Sequence, residues 1–189
     1  MKRGALVQLH PAAVEDLSDE GVVAACAKGD RAARAMLFER HVDAVHRFIA
    51  RMRGSDTDVV DDLVQATFIA AFGAAAKCKT TRVRGWLYGI AANLVRNHAR
   101  GEIRRKAALA VVAYETEAVA RMGDPITLAR LPVAIAALPH DLRAALVLVD
   151  LEGEKGCDAA LALGIPEGTL WRRVYHARQT LRAALGGEP

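Results

Sequence analysis

The chain has 189 residues, of which 52% are hydrophobic, 25% charged and 5% aromatic, with a formal charge of +4; that length holds one medium domain or two small ones and excludes a large multidomain enzyme. The composition supports an aliphatic core and argues against disorder, and 38 alanines, with few Gly or Pro inside the periodic stretches, favour helix throughout. Cys26, Cys78 and Cys157 lie far apart with no CxxC pair and no histidine at ligand spacing, so neither a disulfide framework nor a metal site is indicated. No apolar run approaches the ~18 residues of a bilayer span, and a soluble, cytoplasmic protein is the expectation.

Residues 1–17 hold Pro11 and little pattern, and read as a loose N-terminal lead. Ser18 is a good N-cap, Asp19 and Glu20 follow where a helix dipole is positive, and Gly29-Asp30 closes a first helix over about 18–28. From Arg31, the residues Leu37, Val42, Val45, Phe48, Ile49 and Met52 recur at three- and four-residue steps, a stripe that Gly54-Ser55-Asp56 ends. A third helix is predicted over about 58–76, with Leu63, Val64, Phe68, Ile69 and Phe72 toward the core, and a fourth over about 83–106. Residues 18–106 thus make one helical domain. Residues 107–131 turn acidic and break at Gly123-Asp124-Pro125, which marks a linker.

A second small helical domain is expected over 132–186, with Pro132 as the first residue of a short helix and another helix over 141–151. Its last part, 157–185, has the pattern of a helix-turn-helix. Ala160 is small where two helices cross, Gly164 permits the turn, Leu170 faces back to the first helix, and Pro166 suits the entry to the second. That second helix carries Arg172, Arg173, His176, Arg178 and Arg182 against the single acid Glu167. A cationic helix after a tight turn suits the major groove, where Arg meets phosphates and guanine edges; a solvated hairpin with a basic face is the alternative.

Charge is segregated in the first domain. Between 55 and 76 there are four aspartates (Asp56, Asp58, Asp61, Asp62) and no Lys or Arg, whereas 82–106 holds seven cations against Glu102 alone. Solubility alone mixes signs, so two neighbouring helices of opposite field suggest a basic partner for one and a polyanion for the other. Asp56 and Asp58 serve equally as caps; Asp61, Asp62 and Gln65 lie deeper in the helix. On the fourth helix Arg96, Asn97 and Arg100 are candidates for phosphate and base contact, while Trp86 is either a core residue or a stacking platform. His41 and His46 stand five apart, serines are scarce and no glycine-rich phosphate cradle is present, so no catalytic constellation, cofactor site or small-molecule substrate is expected.

Three stretches, Asp61-Asp62-Leu63-Val64-Gln65-Ala66-Thr67-Phe68, Gly85-Trp86-Leu87-Tyr88-Gly89-Ile90-Ala91-Ala92-Asn93 and Gly164-Ile165-Pro166-Glu167-Gly168-Thr169, resemble in their order the bacterial extracytoplasmic-function (ECF) RNA polymerase sigma factors. The resemblance implies an all-α protein of two small domains: a four-helix sigma2-like domain and a helix-turn-helix sigma4-like domain. It implies no enzyme activity, but binding to core RNA polymerase, at its clamp coiled coil and flap, and to promoter DNA. By that resemblance Asp58, Asp61, Asp62, Gln65 and Phe68 would dock on polymerase, with Phe68 equally able to be core. Lys77, Lys79, Arg82, Arg84, Asn93, Arg96, Asn97 and Arg100 would read and hold the melted minus 10 element. Thr169, Trp171, Arg172, Arg173, His176 and Arg178 would read the minus 35 element. An anti-sigma factor, commonly membrane-tethered, is the further implied partner.

The chain departs from the family pattern at Ala66, at Glu154-Lys155-Gly156, at Leu161 and at Trp171. Two rivals stay in view: a stand-alone helix-turn-helix regulator, and, for which Glu154-Lys155-Gly156 and Trp171 are the motive, a sigma-like adaptor that binds polymerase without reading minus 35.

Overall fold

A computed structural model describes residues 17–54, 57–78, 82–110 and 127–186, and every regular element among them is helical. The predicted N-terminal lead apart from Leu17, together with Asp56, Lys79 and most of the predicted linker, lies outside the described residues.

Helix α1, Asp19–Ala27, starts where Ser18 accepts the N–H of Gly21 at 3.3 Å. Helix α2, Arg31–Arg53, starts at Asp30, whose carboxylate accepts the N–H of Ala33 at 2.9 Å, and ends at Gly54 with φ +86°. Both caps satisfy donors that the first helical turn leaves open. Helix α3, Thr57–Ala74, runs into a 3-10 turn, Ala75–Lys77, and helix α4, Val83–Ala110, continues past its expected end near Lys106. These helices pack around Leu37, Phe48, Ile49, Met52, Val64, Phe68, Leu87 and Tyr88, all buried. The span Thr57–Lys77 has the length and hydropathy of a membrane helix, but its apolar side is the core of this bundle and its other side carries Asp58, Asp61 and Asp62. Ile69, expected in the core, is 63% exposed; one step past Phe68, it lies about 100° round the helix from the buried stripe.

The C-terminal half contains α5, Thr127–Ala137, and α6, His140–Leu146, which widens into a π turn, Val147–Leu151. Helices α7, Gly156–Leu163, and α8, Glu167–Ala184, follow. Pro132 does not begin its helix as the sequence suggests: α5 starts at Thr127 and holds the proline inside, its ring exposed while Ile135 is buried. The single helix expected over 141–151 is two segments because the N–H of Glu152 reaches Val147 rather than the carbonyl four residues back. The helix-turn-helix forms as read. Gly164 is left-handed at φ +64°, Ile165 N–H bonds Ala160 O at 3.0 Å, and Ala160, Leu170, Val174 and Ala177 are buried.

The two halves share one continuous core. Arg143 of α6 donates to carbonyls at the C-terminal ends of two helices, those of Leu138 (2.7 Å) and Ala136 by α5 and that of Met52 in α2. One guanidinium thereby answers the orphan acceptors of both halves.

Candidate nucleic-acid interface

The acidic face is built by α3. Asp58, Asp61, Asp62 and Gln65 are exposed on it, and Asp61 lies 3.6 Å from the imidazole of His46 on α2. Asp58 and Asp62 have no ion-pair partner among the described residues. Phe68 is not on this face: it is 2% exposed, with its ring 4.8 Å from that of Phe38 and 6.2 Å from that of Phe72. The apolar surface beside the acids comes instead from Ile69 and from Phe38, 41% exposed. Sequence periodicity placed Ile69 in the core and so missed it.

The basic face of the first half follows α4 and the turn before it. Lys77, Arg82, Trp86, Ile90 and Asn93 line an open groove whose far wall is Asp158, Leu161 and Ala162 of α7. Trp86 is half-buried there, between the two roles that its spacing left open. Further along, Asn97, Arg100 and Arg104 surround Ile103, which is 67% exposed. Lys77, Asn93, Asn97 and Arg100 are solvent-facing.

The cations nearest the second half are engaged. Arg82 pairs with Asp158, Arg84 Nε donates to Glu154 Oε1 at 2.7 Å, and Arg51 of α2 pairs with Glu152. The Tyr88 hydroxyl also donates to Glu152, at 3.0 Å; burial and that carboxylate push the phenol well above its ordinary pKa. All three acids come from the loop and helix start that follow the π turn. Sequence reasoning noticed Glu154-Lys155-Gly156 as a departure without assigning the acids a partner, since their partners lie more than 60 residues away.

On α8, Arg172 and His176 are exposed and Thr169 is partly covered. Arg173 donates to Asp141 of α6 at 3.0 Å, and the same carboxylate lies 4.0 Å from Arg96 of α4. Arg178 holds Asp150 through two bonds, of 3.0 and 2.6 Å, which raises its already high pKa. Trp171 lies against Gly156: a Cβ on that glycine would come within 2.5 Å of the indole, whose N–H donates to Glu167 at 3.2 Å. Two departures from the family pattern therefore account for each other. The indole of α8 occupies the space that a side chain at position 156 would take, and so packs α8 against the start of α7. Tyr175, unassigned by sequence, is 58% exposed one turn beyond Trp171.

Among the described residues no group of His, Cys, Asp and Glu is arranged to hold a metal. What the surfaces offer is sorted charge, with exposed apolar side chains set among it.

Comparison with known proteins gives consistent matches over both halves. The model of Sigma-70 region 2 matches residues 37–105, and that of Sigma-70, region 4 matches residues 128–181. The chain is 34% identical over 176 residues to the ECF RNA polymerase sigma factor SigE of Mycolicibacterium smegmatis, covering 87% of this chain and 68% of that protein. It is 33% identical over 171 residues to the ECF RNA polymerase sigma factor SigM of Mycobacterium tuberculosis, covering 89% and 85%. Among solved structures, that of CnrH in complex with the cytosolic domain of CnrY superposes with a TM-score of 0.65 at 26% identity, covering 92% of this chain and 100% of that one.

Proposed function

Because the chain belongs to the ECF family of RNA polymerase sigma factors, which serve promoter-specific transcription initiation, we propose how its surfaces divide that work. The exposed acids of α3, with Ile69 beside them, dock on a basic surface of core polymerase, the clamp coiled coil. The turn before α4 and the α4 face of Asn93, Arg96, Asn97 and Arg100 hold the nontemplate strand of the minus 10 element. Helix α8 enters the major groove at minus 35, where Arg172 and His176 point outward and Arg173 joins them once released from Asp141.

The chemistry asked of these groups is binding alone. Opening the duplex costs base stacking, and cations on phosphates with apolar or amide groups on unstacked bases offset it. Asn93 and Asn97, one turn apart on α4, present the amides, and Ile103 presents an apolar surface. The observation that carries this reading is the charge sorting: the exposed side of α3 carries acids and no Lys or Arg, whereas on α4 and α8 the cations outnumber the acids.

A stand-alone regulator would not need the region 2 half, which matches its family model over 69 residues. The adaptor reading loses its motive with the Trp171–Gly156 fit, which keeps the helix-turn-helix intact. That the relative CnrH is found with the cytosolic domain of CnrY supports an anti-sigma partner for this chain as well, and a cytoplasmic site of action. Reconstitution with core polymerase on genomic fragments, followed by sequencing of RNA 5′ ends, tests the proposal. Defined start sites that appear only with this protein support it; DNA binding without new start sites overturns it.

A further inference from the structure

We propose that Glu167, the first residue of α8, reads a cytosine of the minus 35 element through that base's exocyclic amine, and that Trp171 is the positioning residue that holds its carboxylate ready; the inference rests on the sigma factor reading. The family resemblance places Trp171 itself at the DNA and gives Glu167 no part. The geometry reverses those roles.

Glu167 and Trp171 stand one turn apart on α8 and share an edge of it. The indole N–H donates to Glu167 Oε1 at 3.2 Å. Both side chains lean over Gly156, the first residue of α7: a Cβ there would lie 2.5 Å from the ring and 2.9 Å from the same carboxylate oxygen. A bare α-carbon at position 156 is thus what admits indole and carboxylate together. An indole has a single polar group, its N–H donor, and here Glu167 takes it, so Trp171 has no bond left to offer a base edge. Glu167 is exposed and pairs with no cation among the described residues.

The N-terminal residues of the second helix are those that meet base edges. Beside Glu167, a Cβ on Gly168 would meet nothing within 4 Å, so no side chain keeps the first turn of α8 from the groove floor. A carboxylate only accepts. In the major groove cytosine offers the N4 amine and no acceptor, adenine an amine next to the N7 acceptor, and guanine and thymine acceptors alone. The order of preference is therefore cytosine, then adenine, with guanine and thymine repelled. A freely rotating glutamate would lose its rotamer freedom on binding, or turn back to the open N–H groups of its own helix. The indole bond and the fit over Gly156 fix the carboxylate on folding instead.

The test uses full-length protein with core polymerase on a promoter whose minus 35 element is randomised, with transcripts sequenced to give a base preference at each position. The parent should show one position where cytosine is favoured about tenfold over guanine and thymine, the order expected of one good base contact. Glu167→Ala should level that position. Glu167→Gln should move it toward adenine, whose N6 and N7 suit an amide. Trp171→Phe removes the N–H and keeps a ring, whereas Gly156→Ala keeps both partners and pushes them aside; Gly156 lies outside the positive-φ glycines, so its backbone accepts alanine. With Glu167 intact, each should cut the cytosine preference to about threefold or less and leave the ratios at other positions as they were.

A parental profile in either of those two variants overturns the inference, and so does a parent with no cytosine position that depends on Glu167. Equal levelling at every position in Trp171→Phe also overturns it, since that reports lost packing rather than lost positioning. A parent that initiates nowhere defeats the proposed function instead. Selection of a randomised duplex by the full-length protein alone then judges Glu167 and Trp171 by the same ratios, and a profile indifferent to both overturns the inference on its own account.

Discussion

The acidic and basic surfaces of this protein are in opposite states. On α3 the carboxylates stand in solvent, Asp58 and Asp62 without an ion-pair partner among the described residues. Arg82 just before α4, Arg84 and Arg96 on α4, and Arg173 and Arg178 on α8 are each met by a carboxylate of the second half. The surface proposed for polymerase is open, whereas the surfaces proposed for DNA are engaged in part, with Lys77, Asn97, Arg100, Arg172 and His176 still exposed. Such a protein would engage the enzyme first and promoter second, because docking through α3 requires no internal contact to break.

The comparison breaks most sharply at α3. Asp61→Arg with Asp62→Arg should weaken core polymerase binding by about 100-fold or more, since like charges brought face to face cost several kcal/mol, and should leave binding to free DNA as it was. Pull-down on immobilised core enzyme and anisotropy on DNA measure the two. A parallel loss of both would show that the surfaces do not divide the work. Next in size, Leu170→Ala empties a fully buried position where α8 leans on α7. It should cost about 2–5 kcal/mol, seen in urea unfolding, and should remove upstream-element protection while the α3 surface still binds polymerase.

How far each surface was legible in sequence follows from the range of the contacts that define it. Ser18 and Gly164 act within a few residues of themselves, so the start of α1 and the turn of the helix-turn-helix were readable from local chemistry, whereas Asp30, read as closing the first helix, caps the second. The sorting of acids to α3 and cations to α4 was equally local. Phe68 and Ile69 were harder: both are apolar neighbours on one helix, and which is buried depends on where α2 lies. Pro132 misled because the rule that places proline at a helix start competes with the stripe of Leu131 and Ile135, which draws the helix back to Thr127. Least legible was the pairing of Arg82 and Arg84 with Asp158 and Glu154. Seventy or more residues separate the partners, and no periodicity links them.

A finer probe separates the arginines that are held from those that are free. Arg173→Ala should weaken minus 35 binding by about 1–3 kcal/mol, the worth of a base-contacting arginine, when measured by footprinting of the polymerase complex. Asp141→Asn should instead leave that binding unchanged or strengthen it, because it frees Arg173 and Arg96 together. If the two variants weaken binding alike, Arg173 serves to hold α6 against α8 rather than to read DNA.

The smallest expected effect concerns acid. His41 in α2 and His140 at the start of α6 both have pKa values lowered by burial, although Asp19 and Asp141 respectively pull against that shift. A histidine whose folded pKa lies below its unfolded value of 6.5 binds fewer protons when folded, so stability rises with pH through the interval between the two values and is lost on acidification below about 6.5. The unfolding midpoint temperature should therefore fall between pH 7 and pH 5.5. His140→Gln should flatten part of that fall. His140 is also the one of the two beside Asp141, where Arg96 and Arg173 meet, so its protonation should loosen the contact between the halves as well. A scattering radius that grows on acidification in the parent and not in His140→Gln would place that acid response at the contact, whereas equal growth in both would assign it to His41 and the core of the first half.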